Sequence, residues 1–418
     1  MAATLLPLMP CLVPDTLLQK DIMFAHLPPY AGDPILSLME TYQRDARADK
    51  VNLGIGVYAD GAGVIPVLPS VRAVEIALQA HSAPCTYLPM EGHSAYRQAV
   101  AQLLFGQDLP GPEHLAIVQT LGGSGALKVG ADLIARFFPQ PQIWVPDPTW
   151  DNHIGIFEGA GFDVQRYPYY DAVGKGLDFD AMLACLERLP AGAVVLLHPC
   201  CHNPTGIDPD RAQWTQVVEV LQRRRLLPFF DLAYQGFAAS LDEDVWAVRE
   251  CVRRGIAFFL SNSFSKIFSL YGERVGALSV FCPDAGQAAN VLGQLKLTVR
   301  RNYSSPPLHG AQIVARVLAD AQLRAQWEAE VDQMRVRVQD MRVQLQAGLQ
   351  QVLPDRDFSF LLRQNGMFGY TGLSAQQVDV LREQYGVYAV ASGRICVAGL
   401  NPGNVGKVCQ AMAEVIRG

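Results

Sequence analysis

The sequence predicts an α/β fold: a large domain built on a mostly parallel sheet flanked by helices, plus a smaller α/β domain. Three observations predict it. The chain has 418 residues, which at about 100–200 residues per domain suggests two domains. Half of the residues are hydrophobic and 18% are charged, enough apolar material for a sizeable core and too much for a disordered chain. From residue 116 to 281, short β-rich runs alternate with helical stretches, the pattern of parallel strands joined by crossover helices.

The elements follow in order. Residues 1–22 are apolar, hold three prolines and lack the basic start of a signal peptide. They read as an N-terminal extension, either a disordered arm or an over-long start with Met23 as the first residue. AGDPILSLMETYQRD reads as a helix capped by Asp33, with Pro34 in its first turn. VNLGIGVYADGAGVIPVLPSV is a strand broken by glycines, then a loop, and residues 71–80 and 94–105 are helical. AIVQT (116–120) is a strand, and GGSGALKVGADLIARFF is a Gly-rich turn that opens a helix. IWVPD, DVQRYPYY, AVVLLHP, PFFDLAY, AFFLSNS and RVGALSVF are further strands, interleaved with helices at 178–189, 210–225 and 243–254. Arg223, Arg224 and Arg225 fall at a helix end, where cations suit the negative dipole terminus.

From Gly310 to about Leu353 the pattern is continuously helical, with Val331, Met334, Val338, Met341 and Leu345 at three-four spacing. Gly348 interrupts it too soon for a coiled coil. Residues 358–418 read as strand, strand, helix, strand, helix. The expected division is a small domain of 23–65 with 335–418, and a large domain of 66–334.

Charge and cysteine usage exclude several function classes. Thirty-four basic against 40 acidic residues give a net charge of -6, which argues against a nucleic-acid partner held by phosphate neutralisation. No run of 18 uncharged apolar residues occurs, so no membrane-spanning helix and no membrane partner are expected. Nine cysteines without a C-x-x-C pair read as reduced thiols and place the chain in the cytoplasm. No metal site is expected.

The chemistry concentrates at strand ends. In SNSFSKIFSLYGERVG (261–276), Lys266 follows a strand and sits among Ser263, Ser265 and Arg274. Asp231 closes the apolar strand PFFDL, where parallel sheets present their ligands. A carboxylate there is costly unless paired. HNPTG (202–206) follows another strand, and GGSG (122–125) opens a helix whose free N–H groups can hold a phosphate. Each piece alone is weak. A glycine turn often serves only tight packing, an Asp is commonly a cap, and Asn203 before Pro204 is a turn former.

Together they are the parts needed to hold pyridoxal 5'-phosphate. Its aldehyde needs a lysine, Lys266, and its ring nitrogen needs a buried carboxylate, Asp231, to stay protonated. Its phosphate needs a helix N-terminus, hydroxyls and an arginine: Gly123, Ser124, Ser263, Ser265 and Arg274. Its phenolic oxygen needs donors, supplied by Asn203 and Tyr234.

The chain resembles the class I pyridoxal-phosphate aminotransferases of the aspartate aminotransferase fold. The resembling segments run from about Met23 to the C-terminus: YAGDPILSLME, YLPMEG, QTLGGSGALKVGAD, DPTWDNH, LLHPCCHNPTG, DLAYQGF, SNSFSKIFSLYGERVG, VRRNYSSPP and ASGRICVAGLN. Within the family it looks most like the bacterial aromatic-amino-acid enzymes. The resemblance implies fold type I and further roles. Arg394 matches the clamp on the substrate α-carboxylate, Trp150 the residue stacked on the cofactor ring, and His153 the partner of the Asp231 carboxylate. Gly56 matches backbone that meets the substrate carboxylate. Tyr87 matches a tyrosine reaching the neighbouring subunit's phosphate, and Arg300 an arginine that pairs, across the dimer, with a distal carboxylate. A homodimer with shared active sites is implied.

The implied activity is transamination of phenylalanine, tyrosine and tryptophan with 2-oxoglutarate by a ping-pong route, with aspartate as an additional donor. Lys266 acts as base and acid, assisted by Asp231 and Tyr234. Ile267, Ser269 and the run YLPMEG carry the aromatic-type resemblance. The alternatives are an aspartate aminotransferase with little aromatic activity, a β-decarboxylase on the same fold, and a non-enzymatic amino-acid sensor. The sensor reading wants a basic module in front, which the extension, with one Lys and no Arg, does not supply.

Overall fold

Apolar runs without alternation belong to strands buried on both faces, and the computed structural model places them so. It describes residues 24–418 except 31, 81–83, 107 and 140; the expected N-terminal extension lies outside them. The central sheet has seven strands: β1 (Leu115–Leu121), β2 (Gln142–Asp147), β3 (Asp163–Pro168), β4 (Val194–Leu197), β5 (Leu227–Leu232), β6 (Phe258–Ser263) and β7 (Val275–Phe281). They lie in the order β1-β7-β6-β5-β4-β2-β3. Neighbours from β6 through β3 pair in parallel, and β7 runs antiparallel to both β6 and β1. Successive side chains enter different cores. Phe230 and Leu260 belong to one, with the helices Arg211–Arg224 and Trp246–Arg253; Phe229 and Phe259 belong to the other, with Gly122–Phe137.

The chain before residue 66 packs against its tail. Val51–Asn52 pairs in parallel with Val387–Tyr388, and Phe368–Tyr370 pairs antiparallel with Arg394–Cys396. Arg337, on the helix Ala321–Val352, fastens this arrangement. It donates to Tyr58 Oη at 3.0 Å, Leu400 O at 2.9 Å and Ala398 O at 2.8 Å, and also to Ala59 O.

Four features differ from expectation. The helical stretch after Gly310 is two helices, His309–Ala319 and Ala321–Val352, because Asp320 leaves helical geometry and caps Gln322 N and Leu323 N. Gly348 does not interrupt the second; a Cβ there would meet Cys409 Sγ at 2.6 Å, so the glycine lets the helix Val405–Arg417 approach. The tail opens with a 3-10 turn, Ser359–Arg363, in place of its first expected strand, and then runs strand, helix, strand, strand, helix. An 18-residue helix, Ala285–Asn302, was not anticipated. Its stripe of Ala288, Val291, Leu292, Leu295 and Val299 does pack on the core at helical spacing.

Gly276 brings the sheet close to the start of the helix Gly122–Phe137, as Gly130 does farther along it against Phe229. A Cβ at Gly276, in β7, would lie 2.5 Å from Gly122 C and 2.8 Å from Asn262 O, both backbone atoms. Gly276→Ala is therefore expected to destabilise the chain by about 1–3 kcal/mol and to lower its urea midpoint. Gly406→Ala, with nothing within 4 Å of the added carbon, should not. Equal midpoints for the two variants would refute the close-approach account.

Candidate active site

The loops leaving β2, β4, β5 and β6 meet at one edge of the sheet, where open α/β folds bind ligands. A cavity of about 500 Å³ lies there. Gly56, Gly123, Ser124, Trp150, Asn203, Asp231, Tyr234, Ser263, Ser265, Lys266, Arg274 and Arg394 all line it.

Lys266 stands on the turn after β6. Phe264 and Phe268 are fully buried beside it, and Phe268 stacks on Trp327 with ring centroids 4.7 Å apart. Trp327 Nε1 also donates to Ile267 O at 2.7 Å, which pins the turn to the helix Ala321–Val352. The amine lies 5.1 Å from the centre of the Tyr234 ring. Burial lowers its pKa to about 8, with Arg274 and Arg394 adding to the effect and Asp231 opposing it.

Asp231 faces Ser261 across β5 and β6. Its Oδ2 lies 3.0 Å from His153 Nε2, and its Oδ1 accepts from Ser261 Oγ at 3.2 Å. His153 Nδ1 lies 2.9 Å from Thr149 Oγ1. Burial pushes the carboxyl up, but the His153 hydrogen bond and charge outweigh it and hold Asp231 below the usual carboxylate range. His198 sits beside them, and burial drives its imidazole down to about 3, so it is neutral. Asp231, His153 and His198 have the spacing of a metal cluster. His153, however, already engages both ring nitrogens, which leaves no open set of ligands.

The opposite wall is cationic. Arg394 is 4% exposed, yet among the described residues no carboxylate pairs with it. It donates to Asn203 Oδ1 at 3.1 Å and Gly54 O at 2.8 Å, and its guanidinium lies 4.2 Å over the Phe368 ring. Its Nε has no hydrogen-bond partner, nor has His198 Nδ1. A buried guanidinium without an acid is costly and fits an incoming carboxylate.

At the third side, the helix Gly122–Phe137 has no side-chain cap at its N-terminus. Its start is fixed by Gly122 N donating to Arg274 O at 2.9 Å. Gly122 has φ +68°, and a Cβ there would sit 2.6 Å from Arg274 Nη2. Arg274 Nη1 in turn donates to Ser265 Oγ at 3.3 Å. Uncapped amides, three serines (Ser124, Ser263 and Ser265) and an arginine are the groups that suit a phosphate dianion.

The other expected residues take different places. Gly56 is glycine for a reason beyond the substrate: an added Cβ would meet Phe368 Cζ at 2.8 Å. Ile267 and Ser269 do not line the cavity; Ile267 is buried in the core and Ser269 Oγ donates to Pro66 O. Tyr87 and Arg300 lie outside this chain's cavity. Tyr87 is 94% exposed, and Arg300 is exposed and donates to Ser304 Oγ. His153 stands behind Asp231 as its hydrogen-bond partner, as the resemblance implied, and does not itself line the cavity.

The sequence reading missed His198, Tyr271, Phe368 and the apolar residues Ile35, Ile55 and Val57, all in the lining. His198 carried the same signal as Asp231, a polar residue just past a fully buried strand. Tyr271 sits in the Lys266 segment and Ile55 and Val57 flank Gly56, but none stood out by residue type; Ile35 and Phe368 come from distant segments that only folding brings in.

Known proteins agree with this geometry. Residues 48–412 match the family model described as aminotransferase class I and II. The aromatic-amino-acid aminotransferase of Escherichia coli is 57% identical over 94% of this chain and 100% of its own. An aspartate aminotransferase of Pseudomonas aeruginosa is 48% identical over 92% of this chain and 97% of its own. The crystal structure of an aromatic-amino-acid aminotransferase from Burkholderia pseudomallei, covalently bound to pyridoxal phosphate, superposes with a TM-score of 0.91 at 49% identity, covering 94% of this chain and 99% of that one. The chain belongs to the class I and II aminotransferase family.

Proposed function

We propose that this chain is an aromatic-amino-acid aminotransferase. It moves the amino group of phenylalanine, tyrosine and tryptophan to 2-oxoglutarate through pyridoxal 5'-phosphate in two alternating half-reactions, and it accepts aspartate as well. The observation that carries the reading is one cavity holding a depressed lysine amine, an ionised buried carboxylate and a buried arginine without an acid. The aromatic preference is supported by the identity to the Escherichia coli enzyme and by the apolar residues Ile35, Ile55, Val57 and Phe368 in the lining.

When bound, pyridoxal phosphate supplies an aldehyde that takes the amino group and a cationic ring that withdraws electrons from the substrate Cα. The chain's residues do the rest. Asp231, kept ionised by His153 and Ser261, holds a proton on the ring nitrogen. Gly123, Ser124, Ser263, Ser265 and Arg274 would bind the phosphate, Trp150 would cover the ring, and Asn203 and Tyr234 would donate to its phenolic oxygen. Arg394 grips the α-carboxylate as a planar fork. Lys266 would take the proton from the substrate Cα and deliver it to the cofactor's former aldehyde carbon; a pKa of about 8 leaves both protonation states accessible near neutral pH.

The functional unit is a homodimer. Tyr87 and Arg300, both exposed and outside their own cavity, serve that of a second copy, and Val64, Ile65, Val67 and Ile76 offer exposed apolar surface for it. Segments 23–65 and 335–418 act as a lobe that brings Arg394 to the cofactor held by 66–334. Residence in the cytoplasm is supported by the described cysteines, all of which are unpaired.

A donor panel with 2-oxoglutarate tests the reading. Phenylalanine and tyrosine should give kcat/KM at or above that of aspartate, and Lys266→Ala should lose at least ~10³-fold in kcat. A phenylalanine-to-aspartate ratio far below one would retire the aromatic preference, leaving an aspartate aminotransferase. In the cofactor-free chain, acetic anhydride should modify Lys266 with a midpoint near pH 8, against about 10.4 for an ordinary lysine. The neutral amine is the reactive form, so modification rises with pH. A midpoint near 10 would contradict the depressed amine.

A further inference from the structure

Asp208 lies behind the catalytic loop, outside the cavity. Its Oδ2 accepts from Cys201 N at 2.8 Å and its Oδ1 from His202 N at 2.9 Å. The next residue is Asn203, whose Oδ1 receives Arg394. Oδ2 also accepts from Asn365 Nδ2 at 3.1 Å, three residues before Phe368, the ring under the Arg394 guanidinium. One carboxylate thus ties together two segments that each deliver a contact to the same arginine.

We infer that Asp208 is a positioning residue for substrate-carboxylate recognition, holding Asn203 and Phe368 in the arrangement that presents Arg394. The inference rests on the aminotransferase reading.

Three further observations support a fixed geometry here. Cys201 has φ +52°, a left-handed conformation that a non-glycine residue keeps only where its surroundings enforce it. The two segments also meet through backbone: Asn365 N donates to Gly206 O at 2.6 Å, and a Cβ on Gly206 would lie 3.0 Å from Asn365 O. From the far side, Arg342, 3% exposed, donates to Gly366 O at 2.6 Å and Phe368 O at 2.9 Å. The 365–368 segment is therefore held between a buried cation and the Asp208 carboxylate. Burial raises the Asp208 carboxyl to about 6, against the pull of its three donors, so it is largely ionised at neutral pH and presents acceptors only.

The test compares Asp208→Asn, Asp208→Glu and Asn365→Ala with the parent holoenzyme. An amide at 208 keeps the shape but turns one acceptor into a donor that faces N–H groups. The affinity for 3-phenylpropionate, a carboxylate with no amino group to transfer, is read by calorimetry. Hydrogen exchange at Cys201 and His202 is read on the same cofactor-loaded proteins. The expected result for Asp208→Asn is at least fivefold weaker binding and faster exchange at both amides, with KM for phenylalanine rising more than kcat falls. Asp208→Glu should restore part of the affinity, and Asn365→Ala should weaken it to a smaller degree. If Asp208→Asn fails to fold, Asn365→Ala alone decides. Unchanged affinity and exchange in the folded variants would overturn the inference. Failure of the parent enzyme to transaminate would instead overturn the reading on which it rests, and the two failures are separate measurements.

Discussion

The rest of the site depends on a buried negative charge at the end of β5. Asp231 is 6% exposed and is kept ionised by His153, itself anchored on Thr149, and by the Ser261 hydroxyl. A charge taken out of water is tolerated only when hydrogen-bonded and matched. The parallel strands supply the matching groups, because their loops all open on one edge. Across the cavity the Lys266 amine is depressed by the same burial and two neighbouring arginines, only partly offset by Asp231. The site therefore holds an acid that stays charged and an amine that readily loses its charge.

Much of this was legible in the chain. Buried strands announce themselves as unbroken apolar runs, and the polar residue that follows each one is conspicuous: Asp231 after PFF, the serines and Lys266 after AFFL, Asn203 after VVLLHP. Those groups do converge on one cavity. What escaped was of two kinds. Asp320 ended a helix by capping a new one, although the apolar spacing ran on with no visible gap. Phe368 and Ile35 reach the cavity through contacts between segments far apart in sequence, and no local pattern encodes such contacts. Ile267, part of the aromatic-type resemblance, is buried beside Lys266 and supports the turn by packing and by its carbonyl bond to Trp327.

Arg394 gives the architecture its second constraint. A guanidinium so deeply buried without an acid needs its orientation fixed by neutral acceptors, here Asn203 and Gly54 O, and by the Phe368 face. These partners come from three separate stretches of chain. Holding them in register is a task for groups that bind backbone and do not line the cavity, such as Asp208, Arg342 and Arg337.

The central claim is that the amine at 266 is the one that receives the cofactor aldehyde. Loading the protein with pyridoxal 5'-phosphate, reducing with borohydride and mapping the peptides by mass tests it most directly. The account predicts a pyridoxyl mass increment on the peptide that contains Lys266 and on no other lysine. An increment on a different lysine, or none on cofactor-loaded protein, would contradict it.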